Sequence, residues 1–399
     1  MFPILFILGI ASYAKGLNVT AKSCSQSDVQ SAVNKVQNSG DGVVFIPAGD
    51  CTWIRSVIVR GNVSFIGQGS HNTIIRKVGG RSIFEHTSFK NRPGNRWVRY
   101  SKIGFHGLSD KTSTLAIDLK DTLNFRIDQC YFYSSRWHGV VTLRRVKMGL
   151  IDHNTFVRSD FGTSDYGIQL GSNYLHKPST CDYNDANCRS KWDAWWDDPN
   201  SNNGMTFNEN FPAGTGDAIY VEDNVFDWKG STIQGNWGSN QAIVFRHNTV
   251  RNRDGNNGGI KPGAQWFEIY NNTFENIAPS SKENPFAAAI YLRSSGLFYN
   301  NTIINYARGG QFAAWYCGFG FCYTDQVLMD KTYVYNNIYI NCTCPGDNSN
   351  CWTKWSEGAP DRITENKNYF FRAPQPSDRI YPYTPYTYPH PLASIDDTL

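Results

Sequence analysis

Beyond its first dozen residues the sequence has no long apolar run, which excludes a transmembrane helix from the rest of the chain. Charge is scarce as well: 18% of residues are charged and the formal net charge is +4. That excludes a nucleic-acid binder with a broad basic face. Among the ten cysteines no two stand at the CxxC spacing of a zinc site, so a structural zinc has no ligand set. What the sequence does have is aromatic side chains, 15% of it, many of them in polar stretches that suit either stacking on sugars or anchoring of loops.

The one apolar run, FPILFILGIAS at residues 2–12, is too short to span a bilayer. Ser12-Tyr13-Ala14 at its end has small residues at the two positions a signal peptidase reads, so residues 1–14 read as a secretory signal peptide. The mature protein is therefore expected to be secreted, extracellular and monomeric. In that compartment disulfides persist. The expected pairs are Cys24 with Cys51, Cys181 with Cys188, Cys317 with Cys322, and Cys351 with Cys342 or Cys344; Cys130 is expected to be a buried thiol.

The chain also repeats itself. FRIDQCYF, GLIDHNTF, IYVEDNVF, VFRHNTV, FEIYNNTF, LFYNNTI and YVYNNIY align on Cys130, Asn154, Asn224, Asn248, Asn272, Asn301 and Asn337, with steps of 24, 70, 24, 24, 29 and 36 residues. Three residues before each stands an apolar side chain: Ile127, Ile151, Val221, Phe245, Ile269, Phe298 and Val334. The alternation has the period of a strand. Asparagine tolerates a left-handed bend and its amide bonds to the same amide in the next coil, so an asparagine ladder is expected. A second strand row, LAIDLK (115–120), GVVTLR (139–144), YGIQL (166–170), STIQG (231–235), GGIKP (258–262) and AAIYLR (288–293), repeats the 24-residue step from Ile117 to Val141. Two strand rows on one period predict a solenoid, an all-β right-handed parallel β-helix. Ser25 and Asp28 form a capping box ahead of Val29, Val33 and Val36, which predicts a short helix over one end of the solenoid. The β-helix is expected over residues 15–372, with a loop insertion at 172–217, and the Pro/Tyr-rich tail at 373–399 is expected to run extended along the side.

CSQSDVQSAV, VVFIPAGDCTW, VSFIGQG, the NNTF ladder and YTPYTYPHPL together resemble a group of secreted right-handed β-helix proteins of the pectin-lyase-like superfamily. The likeness runs over nearly the whole mature chain. That superfamily includes polysaccharide lyases, glycoside hydrolases, esterases and non-catalytic fibres, so the resemblance implies the fold and leaves the chemistry to the site.

On the second strand row the outward positions read Asp118, Thr142, Gln169, Gln234, Lys261 and Tyr291, with Lys120, Arg144 and Arg293 two residues on. A polar stripe with a basic cast suits an acidic polysaccharide. Flanking loops would add Arg136, Trp137, His138, Arg158, Asp160, Tyr166, Trp228, Lys229, Arg251, Arg253 and Asp254, and the insertion Trp192, Trp195 and Trp196 as a wall. The lyases of this fold remove the proton beside a uronate carboxylate while calcium or arginine neutralises that carboxylate. The resemblance therefore implies a base, for which Lys261 is the first candidate and His138 or Tyr166 the alternates. Arg251 and Arg253 would be carboxylate clamps, and Gln169, Gln234, Tyr291, Trp137, Trp195, Trp228, Lys229 and Arg293 would bind substrate. Hydrolysis would need a carboxylate pair. Asp197-Asp198 lacks the GHG and RIK motifs that accompany such a pair in β-helix polygalacturonases, and Asp160, Asp165 and Asp217 have no spacing that singles them out. A further outward row, Asp128, Asp152, Glu222 and Arg246, would offer a Ca2+ site or form a solvated ladder with one ion pair. The rival to an enzyme is a non-catalytic adhesion or surface module of the same fold.

Overall fold

The structure, a computed structural model, describes residues 16–79, 82–88, 97–107, 115–122, 124–134, 139–144, 146, 148–158, 166–171, 213–228, 230–235, 239–252, 259–261, 264–277, 291–292, 295–306, 310–313, 317–318, 321–322, 332–342, 352–355, 369–378 and 380–394. Three all-parallel sheets, of twelve, ten and seven strands, hold most of the described strands. From Asp41 to Asn276 the described strands that follow one another in sequence fall in different sheets, and each pairs with its equivalent in an adjacent coil. Leu115–Lys120 lies on Gly139–Arg144, Asn124–Asp128 on Gly149–Asp152, and Tyr131–Ser134 on Thr155–Arg158. This is a parallel β-helix of three faces. The registers Ile117 to Val141, Ile127 to Ile151 and Phe132 to Phe156 reproduce the 24-residue step of the sequence.

The interior follows from strand alternation, which sends every second side chain inward. Phe105, Phe132, Phe156 and Phe226 stack along the axis with centroids 5.1, 4.7 and 4.5 Å apart. At the corner after the twelve-stranded sheet the asparagines form the expected ladder. Asn154, Asn224, Asn248, Asn272 and Asn301 each donate from Nδ2 to the next Oδ1, at 3.0 to 3.2 Å. The left-handed residue, however, is the one before each ladder position: Gln129, His153, Asp223, His247, Asn271, Asn300 and Asn336, with φ between 53° and 57°. The ladder asparagine itself is occupied inward, where its amide also caps carbonyls of its own and the preceding coil. Cys130 continues the ladder through its backbone N–H, which donates to Asn154 Oδ1 at 2.9 Å. Its thiol is buried, and burial pushes its pKa up.

The helix Gln26–Ser39 packs Val29, Ala32, Val33 and Val36 against the first coils, and Ser25 caps it by accepting from the Asp28 N–H at 3.3 Å. The Cys24–Cys51 disulfide ties the helix entry to the first coil. Cys317 and Cys322 face each other as Cα partners in a two-stranded antiparallel ribbon. The other cysteine pairings involve residues outside the described set.

The second apolar cluster lies outside the solenoid. Leu150, Tyr220, Val244, Trp266, Leu297 and Tyr333 project from the outer face of the twelve-stranded sheet and are covered by tail residues, among them Tyr383, Tyr386 and Leu392.

Candidate functional site

Of the three outer faces, the twelve-stranded one is covered over part of its length by the tail. Arg246 is fully buried there: its Nε donates to Glu222 Oε2 at 2.7 Å, and its Nη groups donate to Tyr270 Oη and to the carbonyls of Tyr386 and Thr387 at 2.7 to 2.9 Å. The His390 N–H returns to Glu222 Oε1 at 2.8 Å. Burial pushes the Glu222 carboxyl up, with Arg246 opposing that shift. Asp128 and Asp152 are equally buried, in bidentate pairs with Arg99 and Arg126. For Asp152 burial works against ionisation, yet hydrogen bonds from His153 and Arg126 hold its pKa below the usual value. The expectation of a calcium site or a solvated ladder with one ion pair on this row is therefore corrected. It is a set of buried arginine–carboxylate pairs, shielded at the Glu222–Arg246 end by the tail, and no group of three or more metal-binding side chains exists among the described residues.

The ten-stranded face is open and mixed. Arg251 stands in the strand Thr249–Asn252, half exposed, with its Nε 3.7 Å from Glu275 of the next coil. It belongs to this sheet and not to the loop before Lys261. Trp228 ends the strand Val225–Trp228 on an inward position and is buried in the core, where the Arg158 guanidinium lies 5.8 Å from its ring. This corrects its expected role as a sugar-stacking ring: strand alternation buries Phe226 and Trp228 together. Arg158 is buried for the same reason.

The seven-stranded face carries the polar row. Ile58, Glu85, Asp118, Thr142, Gln169, Gln234 and Lys261 are successive Cα partners across its strands. Beside them run Arg60, Thr87, Lys120 and Arg144. Glu85 accepts from Ser56 Oγ at 3.0 Å, and Thr142 Oγ1 donates to Gln169 Oε1 at 3.4 Å. Asp118 is fully buried, with Lys120 Nζ at 3.1 Å and Arg144 Nε at 3.2 Å. Tyr166 opens the strand Tyr166–Gly171 and is half-buried. Tyr291 falls outside this sheet, in a three-stranded one where it pairs with Gln311.

His138, Trp137, Trp195, Lys229, Arg253 and Arg293 lie outside the described residues, as do residues 172–212 of the insertion. The insertion's last residues meet the tail and not the stripe, since the Gly214 N–H donates to Glu268 at 2.8 Å beside Tyr383. Glu85 and Arg60 extend the polar row toward the helix-capped end, which the sequence reading left out. The strand SIFEHT stands 33 residues before its partner LAIDLK, off the 24-residue step from Ile117 to Val141 in the same row.

Fold and faces define the chain as a parallel β-helix with one outer face partly covered by its own tail and a polar row along another. Among solved structures it is similar to DFA-IIIase from Arthrobacter chlorophenolicus A6 in complex with DFA-III, at 13% identity over 81% of this chain and 72% of that one, TM-score 0.43. It is also similar to the Agl-KA catalytic domain, at 11% identity over 86% and 68%, TM-score 0.40. A third is the A-module of the Azotobacter vinelandii mannuronan C-5 epimerase AlgE6, at 12% over 86% and 93%, TM-score 0.33. Likeness at this level carries no argument about activity. No family model and no curated protein matches the chain.

Proposed function

We propose that the protein acts on an extracellular acidic polysaccharide laid along the outer face of the seven-stranded sheet, and that it cuts the chain by β-elimination. The observation that carries this reading is the in-register polar row from Glu85 to Lys261, with Arg60, Lys120 and Arg144 beside it. Strands about 4.8 Å apart present such a row as a straight track, the shape a linear glycan follows. Cations outnumber carboxylates on it, which favours an anionic chain. The apolar run at residues 2–12 and the Cys24–Cys51 disulfide support secretion.

In this reading Lys261 takes the proton from the carbon beside the uronate carboxylate. The electron pair forms the ring double bond, the glycosidic C–O bond breaks, and the leaving oxygen is protonated by water. Arg253, His138 and Tyr166 are the other groups assigned to the reaction, with Gln169 and Gln234 on the bound sugar. The test is a screen against pectate, alginate, glucuronan and sulfated glycans, following ultraviolet absorbance of the unsaturated product alongside reducing ends, with calcium present and chelated. Absorbance rising with reducing ends supports elimination. Reducing ends without absorbance make the protein a hydrolase, and binding without either makes it a non-catalytic module.

A further inference from the structure

The charged pairs of the twelve-stranded sheet and the charged group around Asp118 on the seven-stranded sheet differ, and the difference points to a ligand. On the twelve-stranded sheet both members of each pair are hidden: side-chain exposure is 5% and 0% for Arg99 and Asp128, 7% and 0% for Arg126 and Asp152, and 0% for both Arg246 and Glu222. Those pairs are closed, each guanidinium bonded through two or more of its nitrogens. On the seven-stranded sheet Asp118 is just as buried, but its partners are not. Lys120 keeps 25% of its side chain exposed and Arg144 29%.

The geometry of this second group is fixed by the sheet. Lys120 stands two residues beyond Asp118 on one strand, on the same face, and Arg144 is the Cα partner of Lys120 on the next. Lys120 Nζ lies 3.1 Å from Asp118 Oδ2, and Arg144 Nε lies 3.2 Å from Asp118 Oδ1. Among the described residues neither carboxylate oxygen accepts a well-aligned hydrogen bond, and these two cations are the charges that compensate the buried carboxylate. None of the Arg144 nitrogens makes a well-aligned hydrogen bond to Asp118, whose oxygens accept none. Among the described residues neither Arg144 nor Lys120 has another side-chain partner, so the Nη1 and Nη2 donors of Arg144 remain for a ligand. The three groups sum to one positive charge, which matches one singly charged oxyanion.

We propose that Lys120 and Arg144 form an anion-reading subsite, and that Asp118 is a positioning residue that holds both cations in place for a carboxylate or sulfate ester of the glycan. The inference rests on the reading that a glycan lies on this face, and it names which residues make that glycan an acidic one. A merely structural triad would stabilise the fold without affecting which glycan is chosen.

The experiment measures equilibrium binding of three oligosaccharide probes to the full chain: a polyuronate oligomer, its methyl ester, and a sulfated oligomer. Wild type is expected to prefer one anionic probe over the ester by on the order of tenfold or more, and the stronger of the two anionic probes identifies the group that is read. Arg144→Ala and Lys120→Ala should each lower affinity for that probe by on the order of tenfold, leave the ester unchanged, and flatten the salt dependence. Arg144→Lys should recover part of the loss. Asp118→Asn should reduce selectivity in the same direction; if it lowers stability so far that binding cannot be measured, the two cation variants decide. Wild-type selectivity that survives both cation substitutions overturns the inference while the glycan reading stands. If wild type binds none of the probes, the glycan reading fails and the subsite with it.

Discussion

Asn271 and Asn272 are adjacent in sequence and do opposite work, which makes them a sharp test of how the solenoid is held. Asn272 is buried. Its Nδ2 donates to the carbonyls of Phe245 and Tyr270 at 2.9 Å and to Asn301 Oδ1 at 3.0 Å, while its Oδ1 accepts from the N–H of Asn248 at 2.9 Å and from Asn248 Nδ2 at 3.2 Å. Asn272→Ala removes all five bonds. It leaves one buried backbone N–H with no acceptor, at about 1–3 kcal/mol, and several under-satisfied groups at about 0.5–1 kcal/mol each, for a loss of about 3–5 kcal/mol. Asn271 is exposed at φ 54°, and the bond between its side chain and the His247 ring is a long one, 3.4 Å. Asn271→Ala should cost about 1 kcal/mol, the left-handed penalty of an alanine, and Asn271→Gly less. Equilibrium urea unfolding, with unchanged slopes, gives the three differences. Equal losses for the two alanine variants, or a loss below about 1 kcal/mol for Asn272→Ala, would refute the ladder as a source of stability.

Four further outcomes are expected. His86 is buried with Nε2 on the Gly61 carbonyl and Nδ1 on Tyr100 Oη, both at 2.7 Å, and burial lowers its pKa from 6.5 to about 4. Below pH 6.5 the unfolded chain takes up a proton that the folded one refuses, so stability falls by roughly 3 kcal/mol from this group between pH 6.5 and about 4; His86→Gln should remove that part of the slope in pH-dependent melts. Arg246→Ala leaves Glu222 buried without its cation and should cost about 3–5 kcal/mol in urea unfolding. Trp228→Ala should cost about 3–5 kcal/mol through the cavity it leaves, while glycan affinity of the folded fraction stays put in a titration. Lys261→Ala should abolish the ultraviolet signal of the unsaturated product with stability unchanged to within about 0.5 kcal/mol; retained turnover removes Lys261 from the role of base.

The solenoid was legible because its two strongest signals are local. An apolar residue three before an asparagine, and a strand of four to six residues on a 24-residue step, need no knowledge of what lies across the molecule. Parity within short strands was harder. VFDW reads as part of a loop between two strands, which would expose Trp228, whereas in the structure the strand runs through it and turns Trp228 inward with Phe226. The same applies to TVRN, which carries Arg251 onto the ten-stranded sheet and into a pair with Glu275. The choice of left-handed residue was missed by one position, because either asparagine of an NN pair tolerates the bend and only the inward hydrogen bonds decide between them.

What no local pattern reveals is which outer face stays open. Glu222 and Arg246 look like solvated outward residues in their own strands, and they become a buried pair because Tyr386, Thr387 and His390, more than 130 residues further on, lie across them. A tail that brings Tyr383, Tyr386 and Leu392 to an outer face demands apolar partners there, and Leu150, Tyr220, Val244, Trp266, Leu297 and Tyr333 supply them. The row of Cα partners in the seven-stranded sheet has a different composition: Ile58 is its one apolar residue, and Glu85, Asp118, Thr142, Gln169, Gln234 and Lys261 follow it. Burying a face of that composition against protein would leave amides and charges without partners, so its natural complement is a hydroxyl-rich, charged chain that brings its own hydrogen bonds. The same reasoning separates the Glu222–Arg246 pair from the group around Asp118. Where the chain itself closes over the surface, cation and carboxylate vanish together; beside Asp118 the cations keep a quarter of their surface and their spare donors, as a surface must if a ligand is to complete it.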